Sequence, residues 1–159
     1  MVLKFFKSLC GVIKQWLAMG YKLLLVEDDA GFVSIFKEEA MRALGRKEFS
    51  DIDLGLDDVE VVGSVGEARE LLVSGANGYD AILLDLGLPD SFGLEGLESL
   101  LKEFPEAPII VLTGNDDPVM HERALEIGAK EYLVKDYVDG RTIRRVLNFV
   151  RGRKAVLAG

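Results

Sequence analysis

Short apolar runs alternate with amphipathic stretches along residues 22–151. Five short, mostly apolar runs predict strands: residues 22–26, 59–62, 80–84, 108–113 and 131–134. The first of them has the pattern of a strand that is buried on both faces. Each is followed by a stretch with apolar residues at helical spacing: residues 31–44, 66–74, 93–104, 118–127 and 140–151. Strands joined by helical crossovers predict an α/β fold with a parallel sheet covered by helices on both faces.

Start and stop signals lie between these elements. Asp29 is expected to cap the first helix, Asp117 and Pro118 mark the start of the fourth, and Gly128 ends it. Residues 45–58 are polar and acidic and predict a long loop with room for a turn of helix. This loop enters the second strand at the edge opposite the strand carboxyl ends, so we expect it not to touch a site there.

Composition divides the chain of 159 residues into unlike parts. The hydrophobic fraction of 49% is ample for one folded domain, which we expect over residues 21–152. A basic amphipathic helix is predicted in residues 1–20 and a short tail in residues 153–159. The formal net charge of −8 combines +3 in residues 1–20, −16 in residues 21–136 and +5 in residues 137–159. An acidic body argues against direct binding of nucleic acid.

The sequence also indicates a compartment. Cys10 is the one cysteine, so no internal disulfide can form and a reducing compartment fits. No apolar run reaches the roughly 18 residues that span a bilayer. The N-terminal apolar residues are interleaved with lysines, unlike a secretory signal. We therefore expect a cytoplasmic protein.

Polar side chains follow the predicted strands at one edge of the sheet, where ligands bind in open α/β folds. They are Glu27 and Asp28 after the first strand, Asp85 after the third, Thr113 at the end of the fourth and Lys135 after the fifth. Taken singly, Asp28, Thr113 and Lys135 are explained as a helix cap, a strand residue and a surface lysine, whereas Asp85 is harder to dismiss because it directly follows an apolar run. Their joint placement at strand ends is not explained in that way.

Such a cluster supports metal and phosphoryl chemistry. Two carboxylates about 4 Å apart repel by about 4 kcal/mol at an effective dielectric constant of about 20. Mg²⁺ relieves this repulsion, because it prefers carboxylate, phosphate and water oxygens. An aspartate can also attack phosphorus and form an aspartyl phosphate. Lys135 would then stabilise charge on the phosphoryl group, and Thr113 would hydrogen-bond one of its oxygens.

Residues 22–151 resemble a receiver domain of a two-component response regulator. Four segments carry the resemblance, in order and at the expected spacing: LLLVEDD (23–29), DAILLDLGLPD (80–90), PIIVLTG (108–114) and GAKEYLVKD (128–136). The resemblance implies a flavodoxin-like (βα)5 fold, doubly wound, with strand order 2-1-3-4-5. It also implies that a histidine kinase or phosphotransfer protein donates phosphate in a Mg²⁺-dependent reaction, and that the phosphorylated domain binds a downstream protein or dimerises.

The resemblance further implies a role for each matching residue. Asp85 is the phosphoacceptor, which makes the domain self-phosphorylating, with autodephosphorylation, rather than a turnover enzyme. The implied Mg²⁺ ligands are Asp28, Asp85, the backbone oxygen of Gly87 and, through water, Glu27. Thr113 and Lys135 sense the phosphoryl group, Tyr132 is the aromatic switch, and Gly114 leaves room for the phosphodonor.

The sequence departs from the family pattern at several places. Asp136 follows Lys135, at a position where the family usually has a proline preceded by a cis peptide bond. A cis peptide bond before a residue other than proline costs about 3–4 kcal/mol. The loop at residues 45–58 is long, and residues 1–20 are additional. No DNA-binding or catalytic domain follows residue 152 in this sequence. We therefore expect a stand-alone receiver.

Both basic ends have alternative explanations. The apolar face of residues 2–17 opposes Lys4, Lys7 and Lys14. It suits packing on this domain or on a second copy, which we favour over a partner groove or an anionic membrane. In the last helix Ile143, Val146, Leu147 and Val150 are expected to face the core. The outward arginines suit either a solvated face or a dimer and partner surface between the fourth and fifth helices, formed by Arg141, Arg144, Arg145, Glu122 and Glu126.

Three other functions compete with a phosphorylated receiver. A receiver-shaped interaction module that is never phosphorylated has no need for the repulsive acidic cluster. A flavodoxin-like cofactor binder needs donors where this chain is acidic after the first strand. A haloacid-type phosphatase needs an aspartate where this chain has Gly87. His121 is expected to be exposed and is not a phospho-relay histidine, since no helical bundle carries it.

Overall fold

The computed structural model describes residues 20–75, 78–135 and 140–158. Five strands and five helices alternate in it as predicted. The strands are β1 Leu23–Val26, β2 Val59–Val62, β3 Ala81–Leu84, β4 Ile109–Thr113 and β5 Glu131–Val134. The helices are α1 Ala30–Leu44, α2 Val65–Ser74, α3 Glu95–Glu103, α4 Pro118–Ile127 and α5 Gly140–Ala158.

The strands form one parallel sheet in the order β2-β1-β3-β4-β5, which confirms the predicted topology. Val26 pairs with Val62 on one side and with Leu84 on the other, so β1, β2 and β3 end level with one another. The residues that follow these strands are therefore held at the same height. This alignment brings the ends of β1 and β3 together at the carboxyl edge.

Two apolar cores cover the two faces of the sheet. One core contains Leu23 and Leu25 of β1 with Phe36 of α1 and Val146 of α5. The other contains Leu24 and Val26 of β1 together with buried residues of α2, α3 and α4. Alternate residues of β1 thus face opposite cores, and this explains why each central strand is an unbroken apolar run. The predicted core residues of the last helix, Ile143, Val146, Leu147 and Val150, are all buried.

Helix ends follow local chemistry. The carboxylate of Asp29 accepts hydrogen bonds from Gly31 N at 2.8 Å and Phe32 N at 3.1 Å, which confirms the predicted cap of α1. Helix α3 begins at Glu95, two residues later than predicted, because Gly93 adopts a positive φ of 56° that a helix cannot include.

The loop at residues 45–58 is more deeply packed than its polar sequence indicates. It contains two short 3₁₀ turns, Lys47–Phe49 and Leu56–Asp58. Phe49, Ile52 and Leu54 are buried and belong to the core beneath α1 and α5. The loop joins the amino end of β2, at the edge away from the strand carboxyl ends, as expected.

Helix α5 is longer than predicted. It was expected to end near residue 151 with a tail at residues 153–159, but it continues through Gly152 to Ala158. Lys154 Nζ lies 4.2 Å from the ring centre of Tyr21, and Arg151 Nη1 donates to Glu48 O at 3.1 Å. Both side chains therefore pack this part of the helix against the rest of the domain.

Two expectations fall on residues outside the described part of the chain. The predicted amphipathic helix of residues 2–17 is one, and the backbone at Asp136 is the other. In the described residues, no helix combines the length and the apolar character needed to cross a bilayer.

Candidate functional site

The candidate site is built on residues that directly follow β1 and β3. Glu27 N donates to Val62 O at 2.8 Å, and Asp85 N donates to Val26 O at 3.0 Å. The backbone ladder therefore continues one residue beyond each strand and fixes both residues at the sheet edge. Although they carry carboxylates, Glu27 and Asp85 are buried.

Lys135 joins the two buried carboxylates. Its ammonium lies 2.6 Å from Glu27 Oε2 and 2.8 Å from Asp85 Oδ2, and only 17% of its side chain is exposed. Glu27 Oε1 accepts from Asp29 N at 3.1 Å. The structure thus brings the predicted base and two of the predicted acids into direct contact.

Burial and charge shift the proton affinities of this group. Burial raises the pKa of the Glu27 carboxyl above its usual range, and the hydrogen bonds from Lys135 and the Asp29 amide only partly offset this effect. Burial alone would lower the pKa of the Lys135 ammonium, but the hydrogen bonds and charges of Asp85 and Glu27 outweigh it and raise the pKa. Lys135 therefore remains a cation at neutral pH.

The donor set fits a divalent cation that prefers oxygen. Glu27, Asp28 and Asp85 each offer a carboxylate oxygen, and these oxygens lie within 4.8 Å of one another. Asp28 is exposed, so one side of the cluster opens to solvent. A Cβ at Gly87 would lie 3.4 Å from Asp85 Oδ2, so the glycine leaves space beside this carboxylate. Hard oxygen donors with open access suit Mg²⁺.

Thr113 and Tyr132 lie on the neighbouring strands. Thr113 is buried at the end of β4, opposite Val134, and its hydroxyl accepts a hydrogen bond from Asn115 N at 3.4 Å. Tyr132 is 3% exposed, and its hydroxyl donates to Asn115 O at 2.6 Å. Both side chains therefore contact the loop that follows β4.

Three contacts around the site were not predicted. Phe32 lies in the stretch at residues 31–44 that was predicted only as helical, yet its ring centre lies 4.7 Å from Lys135 Nζ. His121 was predicted as a lone exposed histidine, yet it stacks on Tyr132. Asp90 accepts from Val65 N at 3.0 Å and Gly66 N at 2.9 Å, which ties the loop after β3 to the start of α2. Each contact joins residues of different segments, so the periodicity within one helix or strand contains no signal for it.

The proposed partner surface is partly engaged within the chain. Arg145 forms an ion pair with Glu131 of β5, and Arg144 lies 3.7 Å from Glu48. Arg141 is exposed, as are Glu122 and Glu126 of α4. The predicted acidic and basic residues therefore lie outside the core.

Comparison with known proteins agrees with this geometry. The family model described as "Response regulator receiver domain" matches residues 23–147. The transcriptional regulatory protein PmrA of Pectobacterium parmentieri is 31% identical over 130 residues, which cover 82% of this chain and 52% of that protein. The uncharacterised transcriptional regulatory protein YhcZ of Bacillus subtilis is 38% identical over 81 residues, which cover 50% of this chain and 38% of that protein. The chain thus matches about half, or less, of the length of these relatives.

Solved receiver structures share the fold. The BeF3-activated N-terminal receiver domain of Klebsiella pneumoniae RstA superposes with a TM-score of 0.64 at 25% identity, covering 82% of this chain and 98% of that one. A response regulator receiver domain protein from Clostridium thermocellum gives a TM-score of 0.66 at 24% identity, covering 86% and 98%. With its 2-1-3-4-5 sheet, its acidic cluster at the strand ends and a family match over most of its length, the chain belongs to the response regulator receiver domain family.

Proposed function

We propose that this domain accepts a phosphoryl group on Asp85 from the phosphohistidine of a histidine kinase or phosphotransfer protein. A carboxylate oxygen of Asp85 attacks phosphorus, the bond from phosphorus to the histidine nitrogen breaks, and its electron pair stays on that nitrogen. The product is an aspartyl phosphate. The observation that carries the proposal is the buried Asp85 carboxylate, 2.8 Å from the Lys135 ammonium and grouped with Glu27 and Asp28.

Asp28, Asp85, the backbone oxygen of Gly87 and, through water, Glu27 would hold Mg²⁺. When bound, Mg²⁺ supplies positive charge that offsets the charge of the carboxylates and the phosphoryl oxygens. Lys135 supplies a second positive charge, because its ammonium already contacts Asp85. Thr113, at the end of β4, supplies a hydroxyl for a phosphoryl oxygen.

We assign the readout of phosphorylation to Thr113 and Tyr132. Both side chains contact the backbone of Asn115. The Thr113 hydroxyl accepts from its N–H, and the Tyr132 hydroxyl donates to its carbonyl oxygen. If the Thr113 hydroxyl moved toward the phosphoryl group, its hydrogen bond with the backbone N–H of Asn115 would break. The conformation of the loop that Tyr132 contacts would then change. The loop leads into α4, so the change would reach the surface formed by Glu122, Glu126, Arg141, Arg144 and Arg145.

That surface would bind a downstream protein or a second copy of the domain. Its acidic residues on α4 and basic residues on α5 are self-complementary about a two-fold axis. Arg145 would then exchange its partner Glu131 for an acid across the interface.

We place the reaction in the cytoplasm, since a single cysteine suits a reducing compartment.

Phosphorylation by phosphoramidate, a small donor with the same phosphorus–nitrogen bond, tests the proposal. In the presence of Mg²⁺, the intact mass of the wild type is expected to rise by one phosphoryl group. The Asp85→Asn variant is expected to show no gain. The Asp57→Asn variant, altered on the loop at the opposite edge, is expected to behave as the wild type. No mass gain in the wild type at any donor concentration would instead indicate an interaction module that is not phosphorylated.

A further inference from the structure

We propose that Phe32 is a positioning residue for Lys135, and that its ring covers the ammonium and holds it against Asp85. The centre of the Phe32 ring lies 4.7 Å from Lys135 Nζ, within the range of a cation–π contact. The same ammonium lies 2.8 Å from Asp85 Oδ2. The inference rests on the proposed function, because it concerns how the phosphoacceptor site is kept in order.

Two features of the fold fix the ring in this place. Phe32 lies in the first turn of α1, and its backbone amide donates to the Asp29 carboxylate at 3.1 Å. Behind it, Phe36 is buried in the core, with its ring centre 6.5 Å from that of Phe32 and the two rings tilted by 34°. The ring over Lys135 is therefore supported by the helix cap on one side and by the core on the other.

The chemical consequence is that Phe32 favours the charged, inward position of Lys135. A lysine side chain is flexible, and a strongly hydrated ammonium gains by turning toward water. The aromatic face compensates for part of this lost hydration through its negative quadrupole, and its edge excludes solvent. An aliphatic side chain at this position would exclude solvent but would offer no such attraction. The electrostatic part of the contact is thus separable from the packing.

A double-mutant cycle measures whether Phe32 acts through Lys135. The rate constant of phosphorylation by acetyl phosphate at saturating Mg²⁺ is compared in wild type, Phe32→Leu, Lys135→Met and the double variant. We expect Phe32→Leu to slow the wild-type reaction about threefold to tenfold, the range that one cation–π contact allows. We expect no further slowing by Phe32→Leu when Lys135→Met is already present.

Control variants separate this effect from damage to the helix. Phe32→Tyr keeps an aromatic face and is expected to retain the wild-type rate. Ile35→Ala, on the same helix, removes a side chain that is 54% exposed and is expected to leave the rate unchanged. The proposal would be overturned if Phe32→Leu slowed phosphorylation equally in the wild type and in Lys135→Met. It would also be overturned if Phe32→Leu alone reacted at the wild-type rate.

A spectroscopic measurement keeps the inference independent of phosphorylation. Protons on Cε of Lys135, close to the face of an aromatic ring, are expected to resonate upfield in the NMR spectrum and to lose this shift in Phe32→Leu. If the shift is present but no donor phosphorylates the wild type, the proposed function fails and the contact stands. If phosphorylation occurs but the shift is absent, the contact fails and the proposed function stands.

Discussion

His121 of α4 stacks on Tyr132 of β5, with ring centres 4.9 Å apart and planes 14° from parallel. The exposed imidazole thus covers one face of the buried phenol ring, whose hydroxyl is bound to Asn115 O. Tyr132 is thereby held inward from two directions, by stacking and by a hydrogen bond. Any outward rotation of Tyr132 must break both contacts, which links the position of α4 to the residue proposed as the switch.

We predict that His121→Ala lowers the free energy of unfolding by about 1 kcal/mol, the usual contribution of an aromatic pair beyond its buried area. Chemical denaturation followed by circular dichroism measures this loss. Glu122→Ala, at the next and equally exposed position, is the matched control and is expected to change little. If His121→Ala destabilises a Tyr132→Leu background as strongly as the wild type, the stacking contributes nothing.

Asp90→Ala is expected to destabilise the domain by about 1 kcal/mol at pH 7, since the Val65 and Gly66 amides lose their acceptor. Burial raises the pKa of Asp90, but hydrogen bonds from the Val65, Gly66 and Asp90 amides and the charge of Arg69 together outweigh it, so the folded state has the lower pKa. The stabilisation is therefore complete above the unfolded pKa of about 3.9 and is lost as pH falls through the folded value.

Denaturation of wild type and Asp90→Ala across the acidic range tests this dependence. The difference in unfolding free energy should shrink below about pH 4. Glu106→Ala, an exposed carboxylate in the turn after α3, provides the control. A difference that stays constant down to pH 2 would show that the carboxylate charge is not involved.

Arg151→Ala is expected to lower the unfolding free energy by about 1 kcal/mol without affecting the phosphorylation rate. Its guanidinium donates to Glu48 O and lies 5.5 Å from the centre of the Phe49 ring. Both partners belong to the loop at residues 45–58, at the edge opposite the site. Arg153→Ala is the matched control on the same helix. A slower phosphorylation in Arg151→Ala would show that this loop and the site are coupled.

Gly87→Val is expected to weaken Mg²⁺ binding at least about tenfold, which corresponds to about 1.4 kcal/mol. A side chain at this position would enter the space beside Asp85 Oδ2. Titration calorimetry with Mg²⁺ measures the change. A Cβ at Gly114 meets no heavy atom within 4 Å, so Gly114→Ala is the control and should bind Mg²⁺ as the wild type does. Equal affinity in all three proteins would place the cation elsewhere.

The fold was predictable from sequence because its central strands are buried on both faces. Leu23, Leu24 and Leu25 alternate between two cores, so the run is apolar throughout and bounded by polar residues. The carboxyl ends of such strands meet at one edge, and this explains why Asp85 and Lys135 were correctly expected to lie together. At these positions the local hydrophobic pattern and the arrangement of the strands in the sheet lead to the same prediction.

The errors occurred where tertiary contacts determine the structure. Helix α5 was expected to end near residue 151, but Lys154 packs on Tyr21 and the helix continues to Ala158. The loop at residues 45–58 is polar overall, so its composition did not indicate that Phe49 enters the core between α1 and α5. Phe32 has the spacing of a core residue, and nothing in its own helix shows that Lys135 lies above it. Each of these contacts joins two separate segments of the chain, and the hydrophobic periodicity within one segment contains no information about the other.

The most direct test of the central claim is the metal dependence of Asp85 phosphorylation. Wild type and Asp85→Asn are incubated with acetyl phosphate in Mg²⁺ or in excess EDTA, and their intact masses are measured. We predict one added phosphoryl group in the wild type with Mg²⁺, little or none with EDTA, and none in Asp85→Asn under either condition. Equal phosphorylation of wild type and Asp85→Asn, or none in the wild type with Mg²⁺, would contradict the account.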